Sequence, residues 1–91
     1  MTAEVAAQIR ERLDAALRPS HLSIRDDSHL HAGHAGAREG GHYHVTIAAE
    51  AFRGRPVLAR HRLVYEALTE LLPGRIHALS IDASLPDNPA P

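Results

Sequence analysis

The sequence predicts an α+β domain: a three-stranded mixed sheet with helices packed on one face, in the order helix, strand, strand, helix, strand. Three observations predict it. Apolar residues recur at helical spacing in residues 3–18 and again between Val57 and Leu71. They alternate with polar residues at Leu22–Ile24, at Tyr43–Ile47 and through 76–83. One helical segment separates the second strand from the third, which is the spacing of a crossover connection.

In residues 3–18, Val5, Ile9, Leu13 and Leu17 form a stripe that Ala6 and Ala16 widen. Thr2 suits the cap position, Glu4 the positive end of the dipole, and Pro19 stops the helix. Leu22 and Ile24 make a short half-buried strand before Asp26-Asp27-Ser28. Residues 29–41 read as a loop of small residues and histidines ending in Gly40-Gly41, and loops of this length are usually functional or disordered. From His42 a clearer strand begins. Tyr43, Val45 and Ile47 share one face; His42, His44 and Thr46 share the other. Phe52-Arg53-Gly54-Arg55 reads as a turn, and a short extra helical turn fits near 50–56. Pro56 suits the first turn of the second helix. Its expected buried stripe is Val57, His61, Val64, Leu68 and Leu71, with Arg62 and Glu66 spaced for an ion pair outside. Pro73-Gly74 ends it, and 76–83 form the last strand with His77, Leu79, Ile81 and Ala83 on one face. Residues 1–85 are expected to be a single domain and 86–91 a disordered tail.

This order has a topological consequence. Strands one and two pair antiparallel across the loop. Strand three follows a helix, so it lies parallel to strand two through a right-handed crossover. Parallel neighbours begin at the same end of a sheet. His77 at the start of strand three is thereby brought to the edge that carries His42 and the loop histidines His29, His31 and His34.

Those histidines are the most informative feature of the composition. The chain has eight histidines and no cysteine. Five of the eight, His29, His31, His34, His42 and His44, lie in the run SHLHAGHAGAREGGHYH. Imidazole is the commonest protein metal ligand, and its charge changes near neutral pH. Metal binding, a pH switch and simple solvation all remain open on the residues alone. Without a thiolate the chain cannot build a four-cysteine zinc or iron–sulfur site, so metal chemistry here uses nitrogen or oxygen, or borrows sulfur from a partner.

The remaining composition narrows the function classes. With one phenylalanine, two tyrosines and no tryptophan, the core is expected to be aliphatic. The formal net charge of −1 argues against a protein whose main task is gripping a polyanion. All ten basic residues are arginine, which codon bias alone can produce. No apolar run approaches membrane-spanning length and no signal-peptide pattern opens the chain; the expectation is a soluble, cytoplasmic protein without membrane association. There is no cysteine nucleophile, no G-x-S-x-G and no phosphate loop, so no enzymatic activity is expected.

The segments DDSHLHAGH, GHYHVTI, AFRGRPVLARHRLVYEAL and IHALSIDA together resemble the BolA family over nearly the whole chain. The F-x-G turn followed by R-H-R-x-V-Y and then H-A-L is the specific part. The resemblance implies a fold like a type II KH domain and partnership with a monothiol glutaredoxin. It implies that a histidine of the H-A-L segment, His77, and one residue of the loop ligate a shared [2Fe–2S] cluster. His31 is the aligned loop position, with His34 and His29 as alternatives. Glutaredoxin cysteine and glutathione would supply sulfur from the partner side. The isolated chain would then be a monomer with no cofactor. The C-terminal segment is short compared with longer members of the family.

A lone histidine on an apolar strand face is more often structural than a ligand. For His77 the loop convergence and the resemblance together favour ligation; for His61, placed on the helix stripe, a hydrogen-bonded core imidazole is expected. His42 and His44 would support the cluster edge or simply be exposed, and His21 would be solvated. The leading expectation is a non-enzymatic adaptor for iron–sulfur trafficking or iron sensing. The alternative is a DNA-binding transcriptional regulator. Its nucleic-acid or partner-docking surface would be Arg53, Arg55, Arg60 and Arg62, although the segment lacks the G-x-x-G clamp of nucleic-acid-binding KH domains. A third reading is a pH- or zinc-responsive module in which the three loop histidines and His77 make a four-nitrogen site.

Overall fold

The computed structural model describes residues 2–27, 41–72 and 74–87. Helix α1 spans Thr2–Leu17, strand β1 His21–Asp26, strand β2 Gly41–Ala48, helix α2 Val57–Ala67 and strand β3 Ile76–Ser84. Single 3-10 turns lie at Glu50–Phe52 and Thr69–Leu71. The first of these is the extra helical turn that the sequence allows near 50–56. The sheet order is β1-β2-β3, with β1 antiparallel and β3 parallel to the central β2. This is the expected α+β architecture, and it is compatible with a KH-like arrangement.

One face of the sheet carries the core. Ile9 and Leu13 of α1 meet Tyr43, Val45 and Ile47 of β2, and Val64 and Leu68 of α2 complete the layer with Phe52, Leu71 and Ile76. The aliphatic core read from composition is thus observed, and Phe52, the single phenylalanine, is fully buried in it. Each such side chain removed from water contributes roughly 1.5–3 kcal/mol, offset by the entropy of ordering the chain.

The ends of the helices depart from the sequence reading in informative ways. Helix α1 ends at Leu17, two residues before Pro19, because Arg18 swings to a positive φ of 47°, while its N–H still bonds the Asp14 carbonyl at 3.1 Å. A proline disfavours helical backbone in the residue before it, so Arg18 has to leave the helix. Helix α2 ends at Ala67, not at Pro73-Gly74. The Thr69 hydroxyl donates to the carbonyls of Tyr65 and Glu66, and the Leu68 N–H is shared between Val64 and Tyr65. Such side-chain competition tightens a last turn to 3-10 geometry.

The stripe of α2 is rotated from expectation. Val64, Leu68 and Leu71 are buried as expected, but Val57 is 59% exposed and His61 is only half-buried; Leu63 and Ala67 take the inner flank instead. The observed buried line follows 60, 63, 64, 67, 68 and 71, the usual width of a helix face on a sheet. His61 sits on the border of that face, so the core-imidazole expectation for it is corrected. Arg62 and Glu66 are both exposed and do not pair among the described residues. An arginine placed N-terminal to its acid is the weaker orientation against the helix dipole.

Candidate functional site

The site begins with a register shift. Along β2 and β3, Gly41 faces Ile76 but the next residue, His42, faces Ala78. His77 therefore has no counterpart on β2: it is the extra residue of a β-bulge. Because side chains alternate with a period of two, one inserted residue reverses the faces on either side of it. Ile76 is buried in the core, and beyond the bulge Leu79, Ile81 and Ala83 pack against the same core. His77 itself is exposed. The expectation that His77 shares a face with Leu79, Ile81 and Ala83 is thus corrected, and the bulge is the physical reason. A strand that would have turned this imidazole towards the helices presents it outward instead.

His42 is the neighbour that the bulge provides. The two rings stand with centroids 5.2 Å apart and planes tilted by 55°. On β2, His42, His44 and Thr46 alternate with the buried Tyr43, Val45 and Ile47, as the strand pattern predicts. His44 pairs across the sheet with Arg25 on β1 and Ser80 on β3.

The backbone holds this edge firmly. The Asp27 N–H donates to the His42 carbonyl at 2.7 Å, and the Gly41 N–H donates to the Arg75 carbonyl at 3.2 Å. Arg25 grips the Asp27 carboxylate through both Nε and Nη2, at 2.8 and 3.1 Å. The chain thus leaves β1 and enters β2 at the end of the sheet where His42 and His77 meet. The topological convergence read from the strand order is observed for His42 and His77. His29, His31 and His34 lie outside the described residues. Among the described residues no group of three or more His, Cys, Asp or Glu side chains is placed to hold a metal ion.

Electrostatics at this end is shaped by burial. The Tyr43 phenol lies opposite Asp26, and burial first, then the Asp26 charge, pushes its pKa above the ordinary value.

The arginines of the turn and α2 have structural partners. Arg53 bonds Glu50 and, at 2.7 Å, Asp87 beyond β3. It holds both carboxyls below their ordinary pKa values. Pro86 and Asp87, the start of the expected tail, are placed by this contact, and residues 88–91 lie outside the described residues. Arg55 donates to the Ala51 carbonyl at 3.1 Å. Arg60 reaches both the Arg55 carbonyl at 2.9 Å and the Ala83 carbonyl at 3.1 Å. Arg62 is exposed. Sequence reasoning missed these intramolecular roles, and it also missed the Arg12–Glu70 pair that ties α1 to the 3-10 turn after α2. The long-range pairs among these, Arg53–Asp87, Arg60–Ala83 and Arg12–Glu70, leave no local signal; the His77 bulge likewise leaves none, since no glycine marks it.

Among the described residues, no helix is long and apolar enough to cross a membrane. A family model described as BolA-like protein matches residues 13–88. BolA-like protein 1 of Mus musculus is 45% identical over 82 residues, which make up 90% of this chain and 58% of the mouse protein. The chain therefore spans little more than half the length of that relative. The protein of Escherichia coli K12 named DNA-binding transcriptional regulator BolA is 35% identical over 77 residues, covering 85% of this chain and 71% of that one. Among solved structures, BolA1 from Arabidopsis thaliana superposes with a TM-score of 0.78 at 42% identity, covering 90% of this chain and 92% of that chain. The family match over most of the length, the relatives and the shared three-stranded architecture agree: the chain belongs to the BolA-like protein family.

Proposed function

We propose that this protein is a non-enzymatic adaptor for iron–sulfur trafficking or iron sensing, completing a shared [2Fe–2S] site with a monothiol glutaredoxin in the cytoplasm. The observation that carries the reading is the bulge that turns His77 outward at the end of the sheet where the 28–40 segment begins and ends. An exposed imidazole on a rigid strand end suits a ligand offered to a partner. A chain without cysteine cannot complete such a cluster alone. His77 is the first ligand of this reading and His31 the second, with His34 and His29 as alternatives. The partner's cysteine and glutathione supply the sulfurs. Nitrogen ligation on one iron raises the cluster's potential above that of all-thiolate sites. The His77 nitrogen is presented from the end of the paired β2–β3 ladder.

The test mixes the protein with cluster-loaded monothiol glutaredoxin and follows visible absorption, circular dichroism and complex size. A one-to-one complex with a histidine-type spectrum is expected. His77→Ala is expected to lose that spectrum and shorten the cluster's lifetime with the apo fold intact. Among loop variants His31→Ala is expected to act more strongly than His34→Ala. An unchanged spectrum in His77→Ala overturns the reading; an effect of His34→Ala alone moves the second ligand to His34.

The name of the Escherichia coli relative favours a second reading, a DNA-binding regulator. In this chain Arg53, Arg55 and Arg60 each donate to intramolecular acceptors, so the surface that reading requires is reduced chiefly to Arg62.

A further inference from the structure

We propose that His42 and His77 together form a binding site for one divalent transition-metal ion of zinc type, held by the isolated chain without glutaredoxin or cluster. The separation of the rings carries the proposal. Zn–N bonds are about 2.0–2.1 Å and an imidazole nitrogen lies about 1.1 Å from its ring centre, so each centroid stands about 3.2 Å from a shared ion. At a tetrahedral angle, two such rings have centroids roughly 5.2 Å apart. The observed separation is 5.2 Å, and the 55° tilt keeps the rings from lying flat on one another.

The sheet fixes this spacing. His42 occupies a paired position opposite Ala78, and His77 is the unpaired residue immediately before Ala78. Without the bulge, His77 would lie on the core face with the residues that follow it, and the two imidazoles would be on opposite sides of the sheet. His42 is thus mounted on paired strand backbone and His77 is flanked on both sides by the paired Ile76 and Ala78, so little chain entropy is lost when an ion joins them. Among the described residues no third His, Asp or Glu completes a cluster with them. Two histidines leave two positions of a four-coordinate ion to other donors, so the affinity of this pair alone lies below that of a closed four-ligand protein site.

The experiment uses the full apo chain alone. Zn²⁺ is titrated in competition with a chromophoric chelator, and Co²⁺ is followed by its visible d–d absorption. The expected result is one ion per chain, a Co²⁺ spectrum of tetrahedral intensity, and reversal by chelator. His42→Ala and His77→Ala are each expected to weaken Zn²⁺ binding at least tenfold and to abolish the tetrahedral Co²⁺ bands. His44→Ala, on the same strand face two residues away, is expected to bind as wild type. So is the triple variant His29→Ala, His31→Ala, His34→Ala. Wild-type affinity in His42→Ala, or loss of binding in the triple variant, overturns the proposal. Should His42→Ala fail to fold, histidine-ring NMR of the wild-type chain decides. The His42 and His77 signals must move together with the first equivalent of Zn²⁺, and signals that stay still overturn the proposal equally. No glutaredoxin enters this experiment, so its outcome is independent of the shared-cluster test.

Discussion

Single residues here gain their chemistry from where the backbone places them. Tyr43 lies on the core face of β2, and burial together with Asp26 raises the pKa of its phenol. The chain has no lysine and no cysteine, so no side-chain ammonium or thiol titrates alongside this phenol in the alkaline range. The sign of the linkage follows. In the unfolded chain the Tyr43 phenol loses its proton near pH 10, while the folded chain still holds it. Stability is fully present below about pH 10 and declines as pH rises towards the folded value. Urea midpoints measured from pH 8 to 11 are expected to fall in the wild type and to flatten in Tyr43→Phe. An equally steep fall in the variant would move the effect away from this phenol. His77 teaches the complementary lesson about legibility. Its place at the start of the last strand, beside the β2 start, is readable from topology. Its outward direction is not: parity counting puts it on the core face, and one bulged residue reverses the answer.

At the scale of elements, the connection from β2 to α2 shows how local geometry is fixed. After the 3-10 turn at Glu50–Phe52, Gly54 takes a φ of 78°, and the Arg55 N–H closes back onto the Phe52 carbonyl at 3.1 Å. Arg53 and Arg60 then clamp the turn to Asp87 and to the Ala83 carbonyl. Nothing lies within 4 Å of a Cβ added at Gly54 or at Gly74. The two glycines therefore separate backbone strain from steric fit. Gly54→Ala is expected to cost about 1–2 kcal/mol through its left-handed backbone alone. Gly74→Ala, with neither a clash nor a positive φ, is expected to be within about 0.5 kcal/mol of wild type. Urea unfolding of the two variants checks both. Equal costs would show that the φ of Gly54 is not what the turn requires. Arginines also cover strand carbonyls at both sides of the sheet, with Arg10 on Leu22 and Arg60 on Ala83. Edge strands are templates for unwanted pairing, and helix-borne donors of this kind blunt them.

At the scale of the whole molecule, element order and sheet topology were legible because period and connection length determine them. The stripe of Val5, Ile9, Leu13 and Leu17, the alternation at Tyr43, Val45 and Ile47, and the helix between β2 and β3 leave one economical arrangement. The roles of the arginines were not legible, because partners such as Asp87 and Ala83 are remote in sequence. That difference decides what to expect of DNA. The net charge of −1 gives no long-range attraction to a polyanion, and three of the four arginines in the 53–62 segment have intramolecular acceptors. Binding that rests on Arg62 and transient release of its neighbours touches few phosphates. The logarithm of the affinity then falls with the logarithm of salt by about 0.9 per phosphate contacted, from a weak starting value. Side chains reading base edges would instead discriminate by about 1–3 kcal/mol per base pair. Fluorescence anisotropy with a promoter-like duplex and its scrambled counterpart, over a salt series, is expected to give matching weak curves that vanish near physiological salt. Arg62→Ala is expected to lower the salt slope without changing the preference between duplexes. Tight, selective binding that survives physiological salt and collapses in Arg62→Ala would make the arginine-bearing helix, and not the histidine edge, the working surface of the protein.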